Sequence, residues 1–158
     1  MLVIADTSPL RYLIAIDAIE VLPALFQRVI APSAVIEELT RSSTPATVRA
    51  VIESCPSWLE VQAPMPHSLS EVSGDLDIGE RAALALALEL RADLVLVDDA
   101  AGRRCAKLLG LELTGTLGVL ILAAERELLD LKVILPRLQR SGFYVSEKVL
   151  RAALGTEF

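Results

Sequence analysis

The run Leu94-Val-Leu-Val-Asp98-Asp99 decides how this chain is read. A short, unbroken apolar stretch rich in β-branched residues describes a strand buried on both faces, as in a parallel sheet. Two adjacent carboxylates at its carboxyl end repel each other, and a single Asp suffices to cap a following helix. The chain opens on a run of the same kind, Leu2-Val-Ile-Ala-Asp6. Open α/β sheets bind ligands in the crevice beyond the carboxyl ends of their strands. Carboxylates gathered there without matching Lys and Arg repel one another unless a divalent cation neutralises them. The leading expectation is a metal-dependent enzyme acting on phosphates.

Outward from these runs, Arg28-Val-Ile-Ala31 and Trp58 to Val61 read as strands, with Leu111 to Leu113 as a last short one. Helical patterns lie between them. One runs from Pro9 to Ile16, with Ser8 as its cap and Pro9 at its first position. A shorter piece restarts at Asp17, is disturbed by Pro23 and ends near Phe26. Pro32-Ser33 opens a helix that carries Glu37 and Glu38, and Ala46 to Ser54 forms another. The stretch from Gln62 to Gly74, rich in Pro and Ser, reads as a loop. Asp77 begins a helix to about Leu90, whose middle, Ala82 to Leu88, is apolar all round and expected to be deeply buried. Arg103 to Leu109 is helical and closed by Gly110, and from Thr116 onward the pattern is helical with a break at Gly142. Strands alternating with helices over short connections give an α/β fold with a mainly parallel sheet. The helical C-terminal third is expected to pack on one face or to supply a dimer surface.

Composition narrows the class. At 158 residues one domain over 1–158 is expected. The 53% apolar content argues against disorder, and aromatics at 4% leave Leu, Val, Ile and Ala to fill the core. A net charge of −6 and a pI near 4.8 are unlike a protein that clamps duplex DNA by bulk charge, yet they allow nucleic acid held locally through a metal ion. Cys55 and Cys105 lack metal-ligand spacing, and no signal-peptide pattern is present, so free thiols in a reducing cytoplasm are expected. Leu117 to Ala124, the longest apolar stretch considered for a membrane span, is far shorter than the roughly 20 residues a spanning helix needs.

Each acidic candidate has a structural and a chemical reading. Asp6 could form an Asx-turn or cap, but Ser8 and Pro9 already supply a helix start. At about 100° per residue, Val35, Ile36 and Leu39 define an apolar face, with Glu37 opposite it and Glu38 on its flank, able to reach a crevice. Read alone, Glu80 closes a capping box with Asp77, although Gly79 between them leaves room for a close approach. Asp98-Asp99 carries surplus charge that suggests a cation. Arg103 and Arg104 follow, placed to steady the carboxylates, contact a phosphate or remain solvated. The lone His67 is assigned no role, and Gly115-x-x-Gly118 reads as the opening of a tightly packed helix.

In order and spacing, this set resembles the PIN-domain family, and within it the VapC-like toxin ribonuclease branch. The resemblance rests on Asp6-Thr7-Ser8, Pro32-Ser-Ala-Val-Ile-Glu-Glu38-Leu39, Asp77-Ile-Gly-Glu80-Arg81-Ala82, Val97-Asp98-Asp99 with Gly102-Arg103-Arg104, and Gly115-Thr116-Leu-Gly118. It implies a three-layer α/β/α sandwich with a short parallel sheet and an acidic cluster at its edge. It further implies Mg²⁺ or Mn²⁺ as cofactor, RNA as substrate, a homodimer, and a small antitoxin protein that blocks the site. Asp6, Glu38, Glu80 and Asp99 map onto the family's acidic positions, with Asp98 sharing the last. Asp6, Glu80, Asp98 and Asp99 are the expected metal ligands, and Ser8 and Arg103 the expected supporting residues. Where the family often has Thr-x-Asp, this chain has Val97, so that hydroxyl is missing.

Two rival functions remain open at this level. Asp6 could be the nucleophile of an aspartyl-phosphate phosphatase or phosphotransferase, which normally also needs a Lys near the phosphate. Lys107 and Lys132 are the only lysines before the C-terminal tail, and neither follows a strand. Alternatively, the chain is a catalytically inactive protein-binding module, with Phe143 and Tyr144 on its docking surface.

Overall fold

The computed structural model describes residues 1–154. Five strands, β1 (Leu2–Ala5), β2 (Arg28–Pro32), β3 (Leu59–Gln62), β4 (Leu94–Leu96) and β5 (Leu113–Thr114), form one parallel sheet in the order β3-β2-β1-β4-β5. The helices are α1 (Thr7–Ala15), α2 (Val21–Leu25), α3 (Ser33–Leu39), α4 (Ala46–Glu53), α5 (Pro66–Ser70), α6 (Ile78–Leu90), α7 (Ala100–Leu108), α8 (Thr116–Glu125), α9 (Leu131–Arg140) and α10 (Glu147–Leu154).

The alternation of strand side chains builds the two cores. Val3, Ala5, Val29, Ala31 and Leu96 point to one face, where Leu10 and Leu13 of α1, Val119 and Leu120 of α8, and Leu135 and Leu138 of α9 cover them. Ile4, Ile30, Val95 and Val97 point to the other, against Ala83 to Ala87 of α6 and Ala106 of α7. A sheet buried on both faces explains why its strands read as unbroken apolar runs. The three-layer α/β/α arrangement is as expected, as is the deep burial of α6. The C-terminal helices pack on one face, and Phe143 stacks edge-on against Tyr12 at 5.0 Å between centroids. Among the described residues no helix is long and apolar enough to cross a membrane.

Several boundaries differ from the sequence expectation, each for a local reason. The first helix starts at Thr7, not Pro9, so Asp6 takes the cap position and Ser8 lies inside the first turn. Ser8 is therefore not the cap. The Pro- and Ser-rich stretch contains α5: Pro66 sits at the start of this helix, and Glu89 of α6 accepts from Met65 N (2.8 Å) and Ser68 Oγ (2.9 Å). That tertiary anchor holds a five-residue helix that would not stand alone. The next difference is α7, which begins at Ala100 because Asp99 caps it. The strand after it is Leu113–Thr114, later than the expected Leu111 to Leu113.

The C-terminal region breaks near Glu127 as well as at Gly142. Helices α1, α6, α7, α8 and α9 all end on the same backbone bond, from the residue after a left-handed one back to the last turn: Ala18, Ala92, Leu111, Leu128 and Phe143 donate to Leu13, Ala87, Ala106, Ala123 and Leu138. Gly110 and Gly142 occupy the left-handed position in two of these, but Asp17, Arg91 and Glu127 occupy it in the others. Stops that do not use glycine carry no composition signal.

Candidate active site

Strand order reverses between β1 and β4, which run side by side, and each continues into its helix on leaving the sheet. The crevice beyond their carboxyl ends is the switch point where such sheets take ligands. Asp6 N donates to Leu96 O at 3.0 Å, and Val97 N donates to Thr114 O at 2.9 Å, fixing the three strand ends together. This brings Asp6 to the same rim as Asp98 and Asp99.

Asp6 occupies the cap position of α1, yet its carboxylate makes no cap hydrogen bond. A cap side chain ordinarily bonds the second or third helical N–H, and here the third residue is Pro9, which has none. Asp6 is only 5% exposed, and among the described residues its Oδ1 is a fully buried oxygen with no hydrogen-bond partner. Burial raises its pKa to about 7, opposed by the Thr7 backbone N–H and reinforced by Asp77, Glu38 and Asp98. An orphaned buried carboxylate oxygen is costly and calls for a proton, a water or a cation.

Glu38 lies on the flank of α3, half-buried, whereas Glu37 is exposed, as the helical periodicity predicts. Thr7 Oγ1 donates to Glu38 Oε2 and ties that carboxylate to the start of α1. At the head of α6, Asp77 Oδ1 accepts from Glu80 N at 2.8 Å, so half of the expected capping box forms. The Glu80 carboxyl reaches toward α7: its Oε2 lies 3.8 Å from where a Cβ on Gly102 would stand. Burial first, then Asp77, Asp99 and Asp6, raise the Glu80 pKa to about 7. Gly79 lets α6 approach, since a Cβ there would meet Thr7 Oγ1 at 3.3 Å and Asp6 Oδ1 at 3.6 Å.

The adjacent Asp98 and Asp99 divide. Asp99 Oδ2 caps α7, accepting from Ala101 N (3.0 Å) and Gly102 N (3.3 Å). Asp98 instead crosses to α8, accepting from Thr116 N and Thr116 Oγ1, both at 2.7 Å. Burial raises the Asp98 pKa, while the two Thr116 bonds and Arg103 oppose the shift. Thr116 is fully buried, so it supplies from α8 a hydroxyl that Val97 cannot. Gly115 makes this approach possible: a Cβ there would stand 2.5 Å from Asp98 Oδ1 and 3.0 Å from Arg103 Nη1. Arg103 Nη1 donates to Val97 O at 3.1 Å, which holds the guanidinium beside the crevice. Ser8 lies in the first turn of α1, next to Thr7.

Asp6 feels the charges of Asp77, Glu38 and Asp98, and Glu80 those of Asp77, Asp99 and Asp6, so these carboxylates stand within electrostatic reach around Asp6 and Glu80; Asp77 was read from the sequence as a cap. Among the described residues, no group of three His, Cys, Asp or Glu side chains already stands at metal-ligating spacing. Carboxylates this near repel one another, and uncompensated like charge opposes closer approach. The motifs contain Thr116 and Thr7, but their roles could not be read from the sequence, because their partners lie 18 and 31 residues away. Replacing Thr116 with Val keeps its shape and removes the hydroxyl. The expected result is a loss of about 1–3 kcal/mol in urea unfolding, since buried Asp98 loses a donor.

The domain family described as DUF3368, PIN domain, matches residues 2–156 of this chain. A solved structure similar to it is that of a PilT N-terminus domain protein, SSO1118, from the hyperthermophilic archaeon Sulfolobus solfataricus P2. The TM-score is 0.50 at 16% identity, over 76% of this chain and 91% of that one. That likeness speaks to the fold alone. No curated protein matches the chain.

Proposed function

This chain belongs to the PIN domain family, whose members are generally metal-dependent nucleases, and we propose that it is an endoribonuclease hydrolysing RNA phosphodiester bonds at the carboxylate crevice. The observation that carries this is Asp6 Oδ1, buried, unpartnered and surrounded by further carboxylates. The available donors are hard carboxylate oxygens with no His or Cys among them, which suits Mg²⁺ or Mn²⁺. When bound, such a cation supplies Lewis-acid stabilisation of phosphate charge and a water of lowered pKa.

The chain's own groups divide the remaining work. Asp6 and Asp99 would be the direct ligands of such a cation, and Asp98, oriented by Thr116, would be available as a further one. Glu38 is positioned by Thr7, and Glu80, whose carboxyl reaches toward α7, would act as a ligand or orient water held by the cation. Arg103 faces the crevice and offers a guanidinium to a substrate phosphate. The VapC-like resemblance supports a toxin working as a homodimer and blocked by a small antitoxin. The free cysteines Cys55 and Cys105 support a reducing, cytoplasmic setting. The phosphatase alternative gains no support, because Lys107 lies in the last turn of α7, at the opposite end from Asp99.

Incubation of the purified protein with single-stranded RNA tests the proposal. Cleavage should appear with Mn²⁺ or Mg²⁺, stop with chelator and return when the ion is restored. Undiminished cleavage in chelator would overturn it.

A further inference from the structure

Beside the acidic crevice lies a pocket of about 400 Å³, and Asp98 and Arg103 belong to its wall. Leu117, Ile121 and Val149 supply apolar lining, and Tyr144 stands in the pocket's rim. Tyr144 is 84% exposed in a chain whose aromatics are only 4% of its residues. Its neighbours hold it there. Phe143 packs edge-on against Tyr12 at 5.0 Å, and Val145 is buried in the core, so the segment alternates inward, outward, inward. An aromatic ring anchored on both sides yet left in solvent serves no packing purpose.

We infer that this pocket seats one unpaired nucleobase of the substrate strand next to the scissile phosphate, with Tyr144 as the stacking platform. This rests on the ribonuclease reading of the adjoining crevice. The volume lies at the low end of small-ligand sites, enough for one ring system and its sugar. A helical peptide would need a longer groove taking anchors on successive turns. Charge points the same way: Arg103 lines both pocket and crevice, and its Nη1 bond to Val97 O leaves further guanidinium N–H groups for the phosphate joining the seated nucleotide to the cleaved one. Any occupant must also tolerate Asp98 as a wall, which favours a neutral base with donors on its edge. Stacking is tolerant of base identity, so Tyr144 sets a requirement for single-stranded substrate more than for one base.

Binding and cleavage separate this inference from the reading beneath it. In an Asp6→Asn background, anisotropy of a labelled five-nucleotide single-stranded RNA is measured with Tyr144, Tyr144→Phe and Tyr144→Ala. The same RNA made abasic at each position in turn is measured alongside. Tyr144→Ala should weaken binding about 5- to 150-fold, the range of base–aromatic stacking, and Tyr144→Phe should restore it. One abasic position should erase the difference. Equal binding by all three proteins, or a Tyr144 effect indifferent to every abasic site, overturns the pocket, including the case in which it takes a protein segment instead. Base-dependent loss on Tyr144→Ala without any Mn²⁺-stimulated cleavage by the unmutated chain would leave the pocket standing and remove the nuclease. Cleavage and binding both untouched by Tyr144→Ala would do the reverse.

Discussion

Asp6→Asn should lower metal-stimulated RNA cleavage by at least about 10²- to 10³-fold, the scale of losing one group that stabilises transition-state charge, while the fold becomes more stable at alkaline pH. The substitution keeps the size of the side chain and removes its charge. Asp6 is 5% exposed with an unpartnered Oδ1, and its neighbours Asp77, Glu38 and Asp98 are all acidic. Ionising it in the fold is therefore opposed by both desolvation and repulsion. A residue that costs stability yet sits at the switch point of the sheet is the expected signature of a site kept for chemistry. Circular dichroism should show an unchanged fold, and the melting temperature at pH 8 without added metal should rise. Full activity in the variant would remove Asp6 from the mechanism.

The metal-free protein should lose stability as pH rises from 5 to 8, and Mn²⁺ or Mg²⁺ should restore it at pH 8. Asp6 ionises near 3.8 when unfolded and at about 7 in the fold. Between those values the folded state holds a proton that the unfolded state has released. Stability is then fully present below the unfolded value, declines as pH climbs, and levels off above the folded one. Glu80, moved from 4.5 to about 7, and Asp98, also raised, act with the same sign. For Asp6 the part of that interval above pH 5 corresponds to at most on the order of 3 kcal/mol, or on the order of 10 °C in melting temperature for a chain of this size. Glu60 and Glu89 are shifted downward, but both are surface groups whose window lies below 4.5, outside this range. A divalent ion that binds the folded state alone adds stability by mass action. A melting temperature flat from pH 5 to 8, or unmoved by either ion, would contradict the crowded-carboxylate description.

Much of this architecture was legible because apolar runs and helix periodicity are local signals. Leu2 to Ala5, Arg28 to Ala31 and Leu94 onward declared a two-sided parallel sheet, and the all-apolar Ala82 to Leu88 declared a buried helix. Strand order was not legible. Placing β1 beside β4 is a pairing across some 90 residues, and only that pairing makes the end of β1 a switch point. The periodicity of α3 separated Glu38 from Glu37, because exposure around a helix follows from spacing alone. By contrast, nothing in the sequence could divide Asp98 from Asp99. One caps its own helix and the other answers a threonine on the next, a distinction set by Thr116 in space. Ser8 misled for a local reason: with Pro9 at the third helical position, the chain enters α1 two residues earlier and leaves the Asp6 carboxylate without a cap bond.

The most direct test is a Mn²⁺ soak of crystals of this protein, with anomalous density read for the ion's ligands. The account predicts manganese in the crevice between β1 and β4, held by carboxylate oxygens of Asp6 and of Asp98 or Asp99. Manganese bound only at other acidic side chains, with Asp6 Oδ1 still unliganded, would contradict it.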